Sequence, residues 1–423
     1  MARILIVTYG SLGDIYPAIA LGRALQGRGH TVTIATSEPH RTTITAAGLR
    51  FSPVRPDLSV EQEAMVRRIM NGRRGSEYLM RALVYPAIHD MYTDLVAIAG
   101  EADLLISSEL AGAVAIVAEK LQRPWVYFAL SPISFMPAHD PSHLPGPRAL
   151  QWMQSLGPAA NRLVLRMAKV ASYAWWKPVR TLRRQLGLPA GRSPLFEGKY
   201  SPYLNLALFS PVLQRAQPDW PQPTVQAGFL FHDEPPGGPA SASLPARVET
   251  FLAAGEAPMI FTLGSAAVYL ADDFYAKSAE AAQRLGRRAL LLIGKNPTPP
   301  NLTSTQLAWD YLPHAQIFPR GVAIVHQGGV GTTAQALRAG RPMLVMPFAH
   351  DQFDNADRVC RLGVGRQIAR SHYTPQRAAA AIEPLLTEPN YATTAQRLGE
   401  QLRGEAAADV AGEAIARVLQ RSR

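Results

Sequence analysis

Short apolar runs recur along the chain, each followed by a stretch with helical spacing. Arg3–Thr8, Thr31–Thr36, Leu104–Ser107 and Trp125–Ala129 read as buried parallel strands, which lose the strict alternation of half-exposed ones because both faces are covered. Between them, Ile19–Arg28 (closed by Gly29), Tyr78–Ala99 and Ala111–Leu121 carry helical patterns, and Tyr203–Phe209 and Val225–Phe231 read as closing strands. A second alternation begins at Met259–Leu263. It continues with a helix from about Asp272 to Leu285, a strand at Arg288–Ile293, a strand at Val322–Val325, a helix from about Thr332 to Ala339 and a strand at Met343–Met346. Two such series predict an α/β protein of two Rossmann-like, doubly wound domains facing across a cleft, with ligands expected at the carboxyl ends of the strands.

The Pro, Gly and Ser of 233–245 mark a linker, so the expected domains are 1–232 and 246–405, with a terminal segment at 406–423. The 47% hydrophobic content fills two cores comfortably. The lone cysteine, Cys360, excludes an internal disulfide and fits a reducing compartment. Neither a signal peptide nor a transmembrane run is expected, which points to the cytoplasm.

Polar positions gather where the second series of strands ends, most densely in Val322–Asp354. His326, Gly328, Gly329, Val330, Gly331, Thr332 and Thr333 form a turn opening a helix, and Gly340 and Pro342 close that helix. Glycines let backbone N–H groups approach an anion, and the unpaired N–H groups of a helix start point at it. The threonines add hydroxyl donors, and His326 is a further donor or a positive charge. The pattern suits a phosphate and is neither the Gly-Lys-Ser/Thr loop nor the Gly-x-Gly-x-x-Gly turn. Thr262, Gly264 and Ser265, after the first strand of this domain, are placed to help. No carboxylates cluster here at metal-ligand spacing, so no metal is expected.

The motif His-x-Gly-Gly-x-Gly-Thr-Thr, followed by Gly-x-Pro and Asp351-Gln352, resembles the donor signature of UGT-type glycosyltransferases (family GT1). GSLGDIYP near the N-terminus and HDQFDN look most like the bacterial rhamnosyltransferase and sterol glucosyltransferase-like branch. The resemblance implies a GT-B fold, with an acceptor-binding first domain, a nucleotide-sugar-binding second domain and a last helix that crosses back to the first. It implies a metal-independent hexosyltransferase with no cofactor beyond its donor, a UDP- or dTDP-sugar carrying glucose or rhamnose. The expected acceptor is a hydrophobic hydroxylated small molecule: a phenolic or polyketide aglycone, or a hydroxylated lipid.

Residue by residue, the resemblance places the diphosphate on the glycine turn and His326, and sugar hydroxyls on Asp351 and Gln352. It places the base on Tyr311 or its neighbour Trp309, and the ribose on Gln335, where many relatives carry Glu. Gln is the weaker acceptor and tilts the donor toward a deoxythymidine diphosphate sugar. At the first strand end, Asp14 occupies the place of the acid in Gly-x-x-Gly-Asp enzymes and is the candidate general base. Its plain alternative is a helix cap, and the two are compatible. Gly13, Ser131 and Phe135 are expected on the acceptor side.

A catalytically silent nucleotide-sugar-binding helper and a nucleotide-sugar epimerase are the competing readings. The protein is expected to be a monomer or homodimer. The net charge of +11 is uneven: residues 141–200 hold ten Lys or Arg against Glu197 alone, interleaved with Trp152, Tyr173, Trp175 and Trp176. This stretch (148–199) reads either as a solvated basic face over packed aromatics or as peripheral contact with a membrane; a nucleic-acid partner is not expected.

Overall fold

The computed structural model describes residues 1–57, 63–143, 148–233 and 243–421. It falls into two compact units, Met1–Glu61 with Arg73–His232 and Glu405–Arg423, and Gln62–Gly72 with Asp233–Gly404. Most of the segment that reads as a linker, 234–242, lies outside the described residues, as do 144–147 of the proline-rich loop after Ser131.

The first unit is built on a parallel sheet. Its strands are β1 (Arg3–Val7), β2 (Thr31–Thr36), β3 (Arg50–Pro53), β4 (Leu104–Ser107), β5 (Trp125–Ala129), β6 (Asn205–Ala207) and β7 (Thr224–Gln226). Their spatial order, β3-β2-β1-β4-β5-β6-β7, reverses direction between β1 and β4. Ile4, Ile6, Val32, Ile34, Leu104 and Ile106 build the core together with Ile15, Ile19 and Leu25 of the helix Leu12–Gly27. Ala411, Ile415 and Val418 of the last helix, Ala407–Arg421, complete that core, and Arg28 pairs with Asp409 at 3.0 Å beside it.

The helix after β1 begins at Leu12, seven residues ahead of the periodicity that marks it, and carries Pro17 inside it. A local lock accounts for the early start. Ser11 is the N-cap, its hydroxyl accepts from the Gly13 N–H at 3.3 Å, and the Asp14 carboxylate accepts from the Ser11 N–H at 2.9 Å. The stretch 78–99 is also not one helix. A single π-helical turn, Leu79–Val84, separates Gly75–Tyr78 from Ile88–Ala99, and Pro86 stands in the gap.

The second unit has six parallel strands: β8 (Met259–Thr262), β9 (Ala289–Leu292), β10 (Gln306–Trp309), β11 (Ala323–His326), β12 (Met343–Val345) and β13 (Gly365–Gln367). Their order is β10-β9-β8-β11-β12-β13, again reversing beside the first strand of the series. β3, β10 and β13 escape a reading of hydrophobic pattern. All three lie at sheet edges, where one side of the strand needs no apolar cover. The segment Gln62–Gly72 belongs to this unit despite its place in the sequence. Its Arg67 meets Asp272 at 3.6 Å.

Candidate functional site

In a doubly wound sheet the helices on either side of the reversal point leave on opposite faces, opening a crevice at the strand ends. In the second unit that point lies between β8 and β11, which pair directly. The turn after β8 carries Gly264 and Ser265, and the turn after β11 carries Gln327–Gly329, opening the helix Val330–Arg338. Gly264 has φ +64°, and a β-carbon there would fall 2.3 Å from Gln327 Nε2. The Gln327 amide thus lies against both turns, since Gly329 also approaches it at 2.8 Å by the same measure. Gln327 is buried, and its Oε1 has no hydrogen-bond partner among the described residues. The N-cap of the helix is Gly329, which has no side chain of its own to offer the first-turn N–H groups, and the Val330 N–H among them is taken by the Asp351 carboxylate.

His326 does not offer a charge to this turn. Its Nδ1 accepts from the Gly328 N–H at 3.0 Å, so the proton sits on Nε2, directed at Met343 Sδ 3.4 Å away. Burial, followed by the neighbouring His314, pushes its pKa down to about 3. It therefore shapes the glycine turn as a neutral ring, where the sequence offered either a hydrogen-bond donor to the anion or a positive charge. Thr333 also departs from expectation, because its hydroxyl donates back to the Gly329 carbonyl at 3.0 Å. Thr332 Oγ1 lies 3.5 Å from Gln327 Nε2.

Asp351 and Gln352 lie at the start of the helix Gln352–Arg361. The Asp351 carboxylate accepts from Asn355 Nδ2 at 2.8 Å and from the Val330 N–H at the glycine turn. Burial raises its pKa to about 6, against those hydrogen bonds, which favour the ionised form. Gln352 Oε1 accepts from the Phe348 and Ala349 N–H groups at 2.8 and 3.2 Å. Its oxygen is committed to the turn, so the NH2 is the part of the amide placed to meet a ligand. Asn355 also donates to the Gly328 carbonyl at 2.9 Å, joining the acidic helix to the glycine turn.

Trp309 ends β10 and Tyr311 follows it, 40% exposed, with its ring 6.4 Å from that of His314. Gln335 is not presented as an open ribose partner. Its Nε2 donates to Asp233 at 3.0 Å, and Arg338 grips the same carboxylate at 2.9 and 2.7 Å. A cavity of about 730 Å³ also lies in this unit, lined in part by Arg67, Asp272, Phe348, Phe353 and Arg370. None of His326–Thr333, Asp351 or Gln352 lines it.

In the first unit the corresponding reversal lies between β1 and β4. Gly10, with φ +129°, comes so close to Asp14 that a β-carbon would overlap its carboxylate at 2.2 Å. Asp14 is thus a partly buried strand-end acid whose Oδ2 serves the capping box through Ser11. Gly13 donates to Ser11. Ser131 is buried, and Phe135 is packed among Trp220, Phe209, Tyr200 and Tyr127 at 4.8 to 6.5 Å. That burial makes Phe135 a support of the loop, where the sequence suggested a residue facing the acceptor.

Residues 4–134 match the glycosyltransferase family 28 N-terminal domain, and residues 296–420 match the erythromycin biosynthesis protein CIII-like C-terminal domain. O-mycaminosyltylonolide 6-deoxyallosyltransferase of Streptomyces fradiae is 32% identical, over 95% of this chain and 94% of its own. The chain belongs to the GT1-type GT-B glycosyltransferases. As a GT-B glycosyltransferase it uses a nucleotide sugar, and its two parallel sheets are those of the fold. The glycotransferase of kitacinnamycin overlays it with a TM-score of 0.74 at 23% identity, covering 99% of this chain and 98% of the other. VinC, solved in complex with dTDP, gives 0.66 at 23% identity over 99% and 100%.

Three residues of the transferase were missed in the sequence. Gln327 hides inside the motif as its variable position. Asn355 carries a signal, since it stands four residues after Asp351 and so shares a helix face with it. Glu109 follows β4 at the reversal point of the first unit, and it accepts hydrogen bonds from the Tyr127 hydroxyl and the buried Lys199 ammonium. No spacing in the sequence links those three.

Proposed function

We propose that the protein transfers a hexosyl group from a dTDP-sugar, or a UDP-sugar, to a hydroxyl of a hydrophobic small molecule, inverting the anomeric centre. The observation that carries this reading is the second unit's reversal point: two glycine turns, the second opening a helix whose N-cap is a glycine, with the Gln327 amide nitrogen lying against both. Backbone N–H groups and a helix dipole stabilise a departing diphosphate without a resident metal. Among the described residues no cluster of three His, Cys, Asp or Glu is placed to hold one.

In this reading the diphosphate rests on Gly264, Ser265 and the N–H groups of Gly329, Gly331 and Thr332, with Gln327 Nε2 as a further donor. His326 keeps the turn in shape. The Asp351 carboxylate and the Gln352 NH2 take sugar hydroxyls, and Tyr311 or Trp309 covers the base. Asp14 accepts the proton of the acceptor hydroxyl. That oxygen then bonds to the anomeric carbon as the bond to the diphosphate oxygen breaks, and the nucleoside diphosphate leaves with the electron pair. One displacement inverts the centre. Gln335 bound to Asp233 supports a donor with no 2′-hydroxyl to grip, as does the dTDP held by VinC. The 6-deoxyallosyl relative supports a hexose-type sugar.

The test is a panel of UDP-glucose, dTDP-glucose and dTDP-rhamnose with mixed phenolic, polyketide and hydroxy-fatty-acid acceptors, read by mass spectrometry. A hexosyl or deoxyhexosyl mass gain with an inverted product supports the reading. A product of retained configuration overturns the single displacement.

A further inference from the structure

The helices Arg148–Ser155 and Pro158–Ala171 present, from Trp152 onward, an apolar surface that no described residue of the first unit covers. Among the described residues, nine large hydrophobic side chains are exposed, and six of them lie here: Trp152, Leu156, Leu163, Met167, Val170 and Tyr173. Leu163, Met167 and Val170 are spaced i, i+4 and i+7, which places them on one face; they are 50%, 55% and 78% exposed. The opposite side of this helix holds its one fully buried residue, Asn161, whose amide donates to the Ala138 carbonyl at 2.8 Å. A helix so anchored has its apolar stripe turned outward by construction.

The charge carried by this stretch of sequence has nearly one sign, and its Arg162 also meets His139 Nε2 at 3.2 Å. Arg162 and Arg166 lie on the same helix and are exposed, and Lys177 and Arg184 are exposed just beyond it. Arg180 stacks 3.9 Å over Tyr173 and 4.6 Å over Trp176. The sole acid in residues 141–200, Glu197, is tied to Lys169. Apolar side chains flanked by arginines, with an aromatic at each end, match a surface of acyl chains under anionic headgroups. They suit nucleic acid less well, because the stripe offers bases no ordered platform and repels backbone water. No described helix is long and apolar enough to cross a membrane, so the contact is at the surface.

We propose that this face docks the protein on an anionic lipid surface, with Leu163, Met167, Val170 and Trp152 entering the headgroup layer and Arg162 and Arg166 on lipid phosphates. The proposal is independent of the transferase reading. It also corrects the picture of aromatics packed beneath a basic face: Trp176 is buried, but Trp152 and Tyr173 lie outside.

The experiment is co-sedimentation of the full chain with vesicles of phosphatidylcholine alone and of phosphatidylcholine mixed equally with phosphatidylglycerol, at low and high salt. Binding is expected to the anionic vesicles only, and to weaken with salt. Leu163→Ser/Met167→Ser/Val170→Ser is expected to cut the partition by more than about tenfold. Arg162→Gln/Arg166→Gln is expected to cut it by about twenty-five-fold, at about fivefold per charge. Both variants change exposed positions, and unchanged thermal melting verifies their folding. Equal binding to neutral vesicles, no binding to either, or unaltered binding by both variants overturns the proposal. So does a concentration-dependent dimer, seen by sedimentation velocity and abolished by the triple variant, which would make a second copy the occupant.

Discussion

Replacing Asp351 by Asn separates what this acid costs the fold from what it does for a ligand. Its pKa stands at about 6 against an ordinary 3.8, with burial the leading cause. A rise of that size corresponds to about 3 kcal/mol held against the ionised form. Because Asp351 keeps partial contact with solvent, a working figure of about 1–2 kcal/mol is more suitable. The folded protein holds this proton more tightly than the unfolded chain does. The associated stability is therefore complete below about pH 4 and is lost as the pH rises through 6. Asn cannot ionise, yet its carbonyl can still accept from Asn355 as the Asp351 carboxylate does. The variant is therefore expected to exceed wild type only in part at pH 5, roughly half-way through that loss, and fully at pH 8, by about 2–4 °C per kcal/mol for a domain of this size. At the same pH 8 its affinity for a dTDP-sugar is expected to fall, since sugar hydroxyls lose a charged acceptor. Thermal melting at both pH values, with dTDP-glucose titrated into each protein, provides the readout. A melting advantage no larger at pH 8 than at pH 5 refutes the account of a buried, reluctantly charged Asp351.

Three further outcomes follow from the same geometry. Asp14→Asn is expected to leave dTDP-glucose binding within a factor of two and to lower kcat by at least about a hundredfold, the range of general-base catalysis; wild-type turnover would leave Asp14 as a cap alone. Gln335→Glu places a second carboxylate beside Asp233, and a loss of about 0.5–1 kcal/mol in denaturant unfolding is expected; an unchanged midpoint would show that the Gln335–Asp233 contact carries nothing. With Asp351 replaced by Asn, the affinity for dTDP-glucose is expected to stay flat from pH 5 to 8, because His326 titrates only near 3. A limb near pH 6.5 would show that His326 charges after all.

How far the chain could be read without its structure depended on how local each interaction is. The buried strands of both sheets were legible because apolar runs such as Leu104–Ser107 must be covered on both faces. Edge strands such as Gly365–Gln367 were not, since an edge needs less apolar cover. The early start of the helix Leu12–Gly27 was written locally in Ser11 and Asp14, but the proline at 17 masked it. The glycine turn was plain in the sequence. The state of its histidine was not, because that depends on a hydrogen bond to Gly328, a sulfur on β12 and a second buried histidine. Gln335 was read against its relatives as a ribose ligand. Its partner Asp233 is 102 residues away, and no periodicity announces it.

The claim on which the rest depends is that the two glycine turns and the Gln327 amide hold a nucleoside diphosphate. Calorimetric titration of dTDP and UDP into the wild-type protein, Gly264→Ala and Gln327→Ala tests it directly. Alanine at Gly264 forces a β-carbon against the Gln327 amide at a φ that costs an L-residue about 1–2 kcal/mol. The account predicts that wild type binds dTDP, that Gln327→Ala binds it measurably less tightly, and that Gly264→Ala loses at least about tenfold while remaining folded. Failure of wild type to bind either nucleotide, or equal affinity in all three proteins, would contradict it.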